Sequence, residues 1–329
     1  MYLLKFLIIT VNFSYYHADS GFLSNMFSKI ADVVYFQCEI DKNHDMIDLH
    51  YKLKKNLFGQ PLVEDVVINA VQAHLKGNSQ KPLTISFHGW PGCGKNFVAD
   101  YIVESLFHKK EKSKNFFLFT RATFLHLEHN VHEYRTQLKK KLIDSAWHCP
   151  HFLFIFDEVD KMPRGALDVV KSFIDYRTQI ENVDFRKTIF IFLSNVGSSK
   201  IVQKTIELWE KGIVREDFKM EDFESFLPME AFNDDSSGFY MSDIIESHLI
   251  DHYVPFLPLE EEHVRKCIQT EISKQDAYLI DVDEVLDKIK RTQPFGPAPY
   301  NLFSSSGCKQ IKETVSFLQM KKSRRKDEF

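Results

Sequence analysis

Four short apolar runs punctuate the chain, and each breaks off into polar residues. Residues 83–89 (LTISFHG) lead into a glycine-rich stretch, residues 151–158 (HFLFIFDE) end in two carboxylates, and residues 187–195 (KTIFIFLSN) end in an amide. Residues 115–120 (NFFLFT) form a fourth run of the same kind. Runs this short, nearly continuous and rich in β-branched and aromatic residues fit strands buried on both faces, as in a parallel sheet. Between them the period lengthens to that of a helix, as in residues 96–107 (NFVADYIVESLF) and 166–180 (ALDVVKSFIDYRTQI). Strands alternating with helices predict an α/β fold, a three-layer sandwich around a parallel sheet. Ligands bind such sheets beyond the carboxyl ends of the strands, where the polar residues of this chain collect.

The flanking patterns divide the chain. Residues 45–75 read as a loop and then a helix, PLVEDVVINAVQAHL, opened by Pro61 at a helical start. A large domain is expected over residues 46–253. After about Val254 no strong strand pattern remains, and residues 254–320 read as a small helical lid. Upstream, residues 21–45 place Phe22, Leu23, Met26, Phe27, Ile30, Val33 and Val34 at the spacing of one helix face. Packing on the large domain is the default reading of that face, with peripheral membrane association the alternative. Residues 1–20 hold an apolar run, interrupted by Lys5, that falls short of the roughly 20 residues a bilayer span needs. With small residues at Ala18 and Ser20 it reads as a secretory signal, against a buried first strand. Residues 321–329 form a basic tail ending Lys326-Asp327-Glu328-Phe329, one residue away from the Lys-Asp-Glu-Leu retention signal. The two ends together point to the lumen of the endoplasmic reticulum.

Composition narrows the function classes. With 329 residues the chain can build two packed units, and 44% hydrophobic and 27% charged residues are ordinary for a globular protein. A net charge of −4 gives no surplus for binding nucleic acid. The five cysteines, Cys38, Cys93, Cys149, Cys267 and Cys308, show no C-x-x-C spacing, so a zinc ribbon is not expected. His148-Cys149-Pro150-His151 reads as a loop rather than a metal site. In an oxidising lumen the cysteines are candidates for disulfides, and their odd number leaves at least one thiol.

The chemistry begins at Gly89-Trp90-Pro91-Gly92-Cys93-Gly94-Lys95, which satisfies G-x-x-x-x-G-K with a strand before it and a helix after it. Glycines let successive backbone N–H groups face a polyphosphate, the following helix adds the positive end of its dipole, and Lys95 reaches the β- and γ-phosphates. Asn96, followed by Phe97, stands where serine or threonine normally offers Mg²⁺ a hydroxyl. An amide oxygen also binds a hard cation, though it is bulkier. Asp157, at a strand end, is the second candidate Mg²⁺ ligand, and the adjacent Glu158 is the candidate general base. Asn195, closing the third strand, is placed to hydrogen-bond the γ-phosphate or an attacking water.

These features resemble an AAA+ ATPase, and within that class a torsin, the luminal branch related to Clp-type disaggregases. The resemblance rests on PLTISFHGWPGCGKNFVA, FIFDEVDKM, IFIFLSN, REDF, SGFY, LIDHYVPFLPLE and GCK, and spans residues 35–315. Gly-Lys-Asn in place of Gly-Lys-Thr is itself a torsin trait, whereas Cys93 stands where torsins tend to carry threonine. The resemblance implies that Lys309, in Gly307-Cys308-Lys309, contacts the γ-phosphate while Cys308 links nucleotide sensing to redox state. It also implies the pairs Cys267–Cys308 and Cys38–Cys149, with Cys93 left as the free thiol. In Phe58-Gly59-Gln60 the matching segment lies near the adenine. Clp-type relatives carry Asn-Arg-Ile-Asp where this chain reads His248-Leu249-Ile250-Asp251, so the arginine that reaches a neighbour's phosphate is missing. Torsins obtain that arginine from the luminal domain of a membrane-anchored activator of the lamina-associated-polypeptide type. The reading adopted is an ATP- and Mg²⁺-dependent ATPase of the endoplasmic reticulum and nuclear envelope, assembled as a homo- or hetero-oligomer, that remodels protein or membrane complexes. A nucleotide-gated assembly scaffold with little hydrolysis is the alternative.

Overall fold

The computed structural model describes residues 46–327, apart from residues 108–112, 124–128, 148, 150, 177–178 and 236. The readings placed on residues 1–45, Cys38 among them, lie outside the described residues, as do Glu328 and Phe329. Five strands pair in one sheet: β1 (Leu83–Gly89), β2 (Phe116–Phe119), β3 (Leu153–Phe156), β4 (Ile189–Ser194) and β5 (His252–Phe256). Every pairing is parallel and the spatial order is β2-β3-β4-β1-β5. All residues of β1, β3 and β4 are buried, the condition of strands covered on both faces. This order sets the carboxyl ends of β3, β4 and β1 side by side, with Ser194 opposite His88 and Phe156 opposite Phe192.

The alternation of side chains across the pleat sorts the two cores. One face carries Ile85, Phe87, Leu153, Ile155, Ile191 and Leu193, packed with helices α1 (Met46–Asn56), α2 (Pro61–Lys76) and α3 (Lys95–Leu106). The other carries Phe154, Phe156, Phe190 and Phe192, packed with α4 (Val131–Ala146) and α5 (Asp168–Ile174). That second core is a chain of rings: Phe119 stacks on Phe156 at 4.8 Å, Phe156 on Phe192 at 5.1 Å, and Phe192 meets the edge of Phe239 at 5.5 Å. Helix α6 (Ser198–Glu210) starts directly after the β4 exit, and three short helices, α7 (Glu221–Glu224), α8 (Leu227–Asn233) and α9 (Asp243–Glu246), lead to β5.

Beyond β5 a separate apolar cluster is built by α10 (Glu261–Lys274), α11 (Val282–Thr292) and α12 (Ile311–Asp327). A two-stranded antiparallel hairpin, β6 (Phe295–Gly296) and β7 (Phe303–Ser304), joins α11 to α12. No helix among the described residues is long and apolar enough to cross a membrane.

Three expectations change. The loop expected from residue 45 is helix α1, whose Met46, Leu49 and Leu53 fall on one buried face. The strand β5 spans the change of texture at Val254, pairing with β1 from Ile85↔His252 to Gly89↔Phe256. Pro255 masks it in the sequence, and an edge strand is where a residue without an N–H is tolerated. Residues 321–327 continue α12 rather than forming a separate tail. The fully buried Phe192 links the ring chain to the Phe239 segment, so Phe192→Ala should lower the unfolding free energy by about 3–5 kcal/mol, read by chemical denaturation.

Candidate functional site

The loop after β1 reverses the chain through Gly92 and Gly94, both at positive φ (77° and 111°), and Gly94 caps α3. A side chain at Gly92 has no room either, because its Cβ would lie 1.8 Å from the Ser306 carbonyl oxygen. The first residue of α3 is Lys95. Its ammonium is buried and donates to the carbonyls of Gly89 (2.5 Å) and Trp90 (3.0 Å) and to Asn195 Oδ1 (3.0 Å). These oxygens are neutral, and so is the Cys93 thiol, whose Sγ lies 4.0 Å from the ammonium. Among the described residues no carboxylate pairs with this cation, so the site holds an uncompensated positive charge that an anionic ligand would match.

The acidic pair comes from the end of β3. Asn96 Nδ2 donates to Asp157 Oδ2 at 2.7 Å, which joins the two candidate Mg²⁺ ligands directly. The other Asp157 oxygen accepts the Glu158 N–H at 2.8 Å. Glu158 sits in the left-handed region at φ 54°, and its carboxylate is ion-paired with Lys161 one turn on. Asn195, at the end of β4, is held by Asp160, whose two oxygens accept its backbone N–H (3.0 Å) and its Nδ2 (3.1 Å).

A cleft of about 570 Å³ opens over these groups. Of the residues singled out in the sequence, Pro91, Gly92, Cys93, Gly94, Lys95, Asn96, Phe97, Asp157, Glu158, Asn195 and Lys309 line it. Gly89 and Trp90 stand behind it as acceptors for Lys95, and Gly59 lies outside its wall. Gly59 is in the left-handed region with a Cβ position 2.7 Å from the His263 ring, and its neighbour Phe58 does line the cleft. Among the described residues no group of three acids, histidines or cysteines gathers to hold a metal. What the site offers a cation is the Asp157 carboxylate and the Asn96 amide, which fits Mg²⁺ completing its shell with phosphate and water.

The lid reaches the glycine loop through backbone. The Cys308 N–H donates to the Gly92 carbonyl at 3.1 Å, and a Cβ on Gly307 would lie 2.3 Å from that same oxygen. Cys308 is disulfide-bonded to Cys267 of α10. Cys149 is disulfide-bonded as well, and Cys38, expected as its partner, lies outside the described residues. Cys93 is a free, buried thiol that donates to the Trp90 carbonyl, and burial pushes its pKa up.

The family model described as Torsin matches residues 33–156. A torsin-like protein of Caenorhabditis elegans is 37% identical over 302 residues, covering 88% of this chain and 82% of the relative. The chain belongs to the torsin family. A torsin-like protein of Drosophila melanogaster is 38% identical over 273 residues, or 82% of this chain and 80% of that one. The structure of Hsp104 from S. cerevisiae in its ADP complex superposes with a TM-score of 0.55 at 17% identity. That match covers 91% of this torsin, which spans about half (51%) of the Hsp104 chain, and it identifies the AAA+ fold alone.

Several residues shape the torsin site in ways the sequence did not assign, although Gln60 and Arg215 stand in motifs quoted for the resemblance. Asp160 and Lys161 follow the acidic pair and hold Asn195 and Glu158 respectively. Gln60 ties the glycine loop to the β5 exit, with Nε2 donating to the Cys93 and Leu257 carbonyls at 3.1 and 2.8 Å. Arg215, in REDF, donates to the carbonyls of Gly59 and Pro258 and to the Glu260 carboxylate. A glutamine before a helix and an arginine far along the chain carry no spacing signal for such roles.

His88, at the foot of the loop, has its Nδ1 3.1 Å from the Val196 carbonyl, which only accepts, so that nitrogen carries the proton. Nε2 then accepts from Ser86 Oγ at 2.7 Å. Burial, reinforced by the Lys95 charge, pushes His88 down to about 4. In the unfolded chain its pKa returns to about 6.5, so between these values the unfolded state binds the extra proton and stability falls as pH falls. The loss from this residue should approach about 3 kcal/mol by pH 4. Urea melts across pH 7 to 4 should show that decline, and His88→Gln should flatten it by about one proton.

Proposed function

We propose that this torsin hydrolyses ATP in the lumen of the endoplasmic reticulum and nuclear envelope, and does so only when a membrane-anchored partner supplies an arginine. The observation that carries the reading is the buried Lys95 ammonium, ringed by neutral oxygens and set beside Asp157, Glu158 and Asn195. A triphosphate supplies the missing negative charge. Asn96 and Asp157 would hold Mg²⁺, which neutralises charge on the phosphate oxygens. Lys95 draws on the phosphates, Asn195 and Lys309 read the terminal one, and Glu158 accepts a proton from the attacking water once it leaves Lys161.

The partner enters because no arginine lines the cleft among the described residues, and the Asn-Arg-Ile-Asp arginine of Clp-type relatives is replaced by Leu249, which is buried. The Cys267–Cys308 disulfide supports an oxidising compartment. The Glu158–Lys161 ion pair favours a second reading, a nucleotide-gated scaffold in which the base stays tied.

Steady-state hydrolysis should be barely measurable alone and rise by about 10³-fold or more with the luminal domain of the activator. Brisk turnover by the isolated protein would refute the dependence. With partner saturating, Glu158→Gln should cut single-turnover hydrolysis by about 10²–10⁴-fold while ATP binding persists. Wild-type protein that binds ATP yet completes no turnover with partner would leave the scaffold reading standing.

A further inference from the structure

The three-residue turn Val159–Lys161 after the acidic pair is fixed more firmly than a surface turn needs to be. The Lys161 and Met162 N–H groups close it onto Glu158 and Val159, and the Gly238 N–H donates to the Val159 carbonyl at 3.0 Å. Gly238, from SGFY, leaves no gap, since a Cβ there would stand 2.9 Å from that oxygen and 3.1 Å from Met162 Cβ. Phe239 is fully buried behind it against Phe192. The motif that had no role in the sequence thus braces the turn that presents Asp160.

Asp160 spends both oxygens on one residue. Its Oδ1 takes the Asn195 backbone N–H and its Oδ2 takes Asn195 Nδ2, which leaves Asn195 Oδ1 to accept from Lys95. The two ends of an asparagine amide are nearly equal in shape and opposite in hydrogen-bonding sense. A carboxylate only accepts, so it admits one of the two orientations. The chain on the far side of Asn195 is pinned as well, by His88 on the Val196 carbonyl and by Ser194 Oγ on the Val196 N–H.

We propose that Asp160 is a positioning residue that dictates which end of the Asn195 amide faces Lys95 and, with it, the terminal phosphate. The proposal rests on reading the cleft as an ATP site. Asp160→Asn keeps the shape of the side chain but exchanges one acceptor for a donor. The new amide can satisfy the Asn195 N–H only by turning its own NH₂ toward the Asn195 side chain. Asn195 must then flip, and its NH₂ meets the Lys95 ammonium, donor against donor.

The test is a double-mutant cycle in the full chain saturated with the activator's luminal domain, comparing wild type, Asp160→Asn, Asn195→Ala and the double variant in single-turnover hydrolysis. Affinities for ATP and ADP are measured alongside by competition with a fluorescent nucleotide. Asp160→Asn should slow turnover by about tenfold or more. It should hold ADP affinity within about threefold of wild type, and the double variant should be no slower than Asn195→Ala alone. Wild-type turnover in Asp160→Asn, or losses that multiply in the double variant, would overturn the proposal. If Asp160→Asn does not fold, Asp160→Ser removes the carboxylate with a smaller side chain and takes its place. If wild type itself turns over no ATP, the hydrolase reading fails, and Asp160 is judged by the ATP-to-ADP affinity ratio alone. Asp160→Asn must then reduce that ratio to the value for Asn195→Ala; a wild-type ratio would mean that Asp160 serves only the turn.

Discussion

A buried ammonium that no carboxylate pairs with among the described residues constrains much of this molecule. Lys95 is satisfied by two carbonyls from the end of β1 and one amide oxygen from the end of β4. Those acceptors converge only if the two strands are parallel neighbours in register, as the pairing of His88 with Ser194 makes them. Burying a charge on neutral dipoles costs free energy that hydrogen bonds only partly offset. The cost is tolerable where a ligand repays it, and an oxyanion arriving at this point meets a cation already held in place by fixed dipoles. The sheet order, the glycine turn and the helix start at Lys95 all serve that placement.

The central strands were legible because each is a short apolar run that ends in the polar residues the site uses. β1, β3 and β4 could be read with their terminal groups attached, and so could the convergence of Lys95, Asp157 and Asn195. Helix α1 was harder, since its eleven residues include Lys52, Lys54 and Lys55 and show only three buried positions. β5 was hidden by Pro255, whose tolerance depends on standing at an edge, a fact of topology rather than of sequence. Least legible was the contact between lid and glycine loop, because it is made by backbone. Gly92 and Gly307 register it, yet the sequence explains them as a phosphate cradle and part of a motif. Only the fold reveals that each glycine is also required by the other's carbonyl or its neighbour's.

The same lesson applies to Arg215. Its guanidinium is almost wholly buried and binds the Gly59 carbonyl, the Pro258 carbonyl and Glu260, the N-cap of α10. One side chain therefore joins the segment beside Phe58, the exit of the sheet and the first lid helix. His263, one turn into α10, presses its ring on Gly59, and burial beside Arg215 pushes it down to about 3, so it stays neutral and adds no charge to the hinge. The lid is thus tied to the sheet exit at one end and, through Cys308, to the glycine loop at the other.

This use of Arg215 bears on the chemistry that the proposed function assigns to a partner. Every basic side chain lining the cleft among the described residues is a lysine: Lys95, Lys161, Lys274, Lys309 and Lys312. An ammonium is a compact point charge that holds a phosphate well but cannot span two oxygens with a planar fork. Arg215, the guanidinium in the REDF motif, is committed to the hinge, and withdrawing it would leave Glu260 and two carbonyls unpaired. Under the proposed function the lysines of this chain gather the triphosphate, and the bidentate contact to developing charge comes from the partner's arginine. The proposed function thus divides binding and turnover between two molecules by the chemistry of their cations, and on that proposal the approach of the second molecule is the step at which the reaction is controlled.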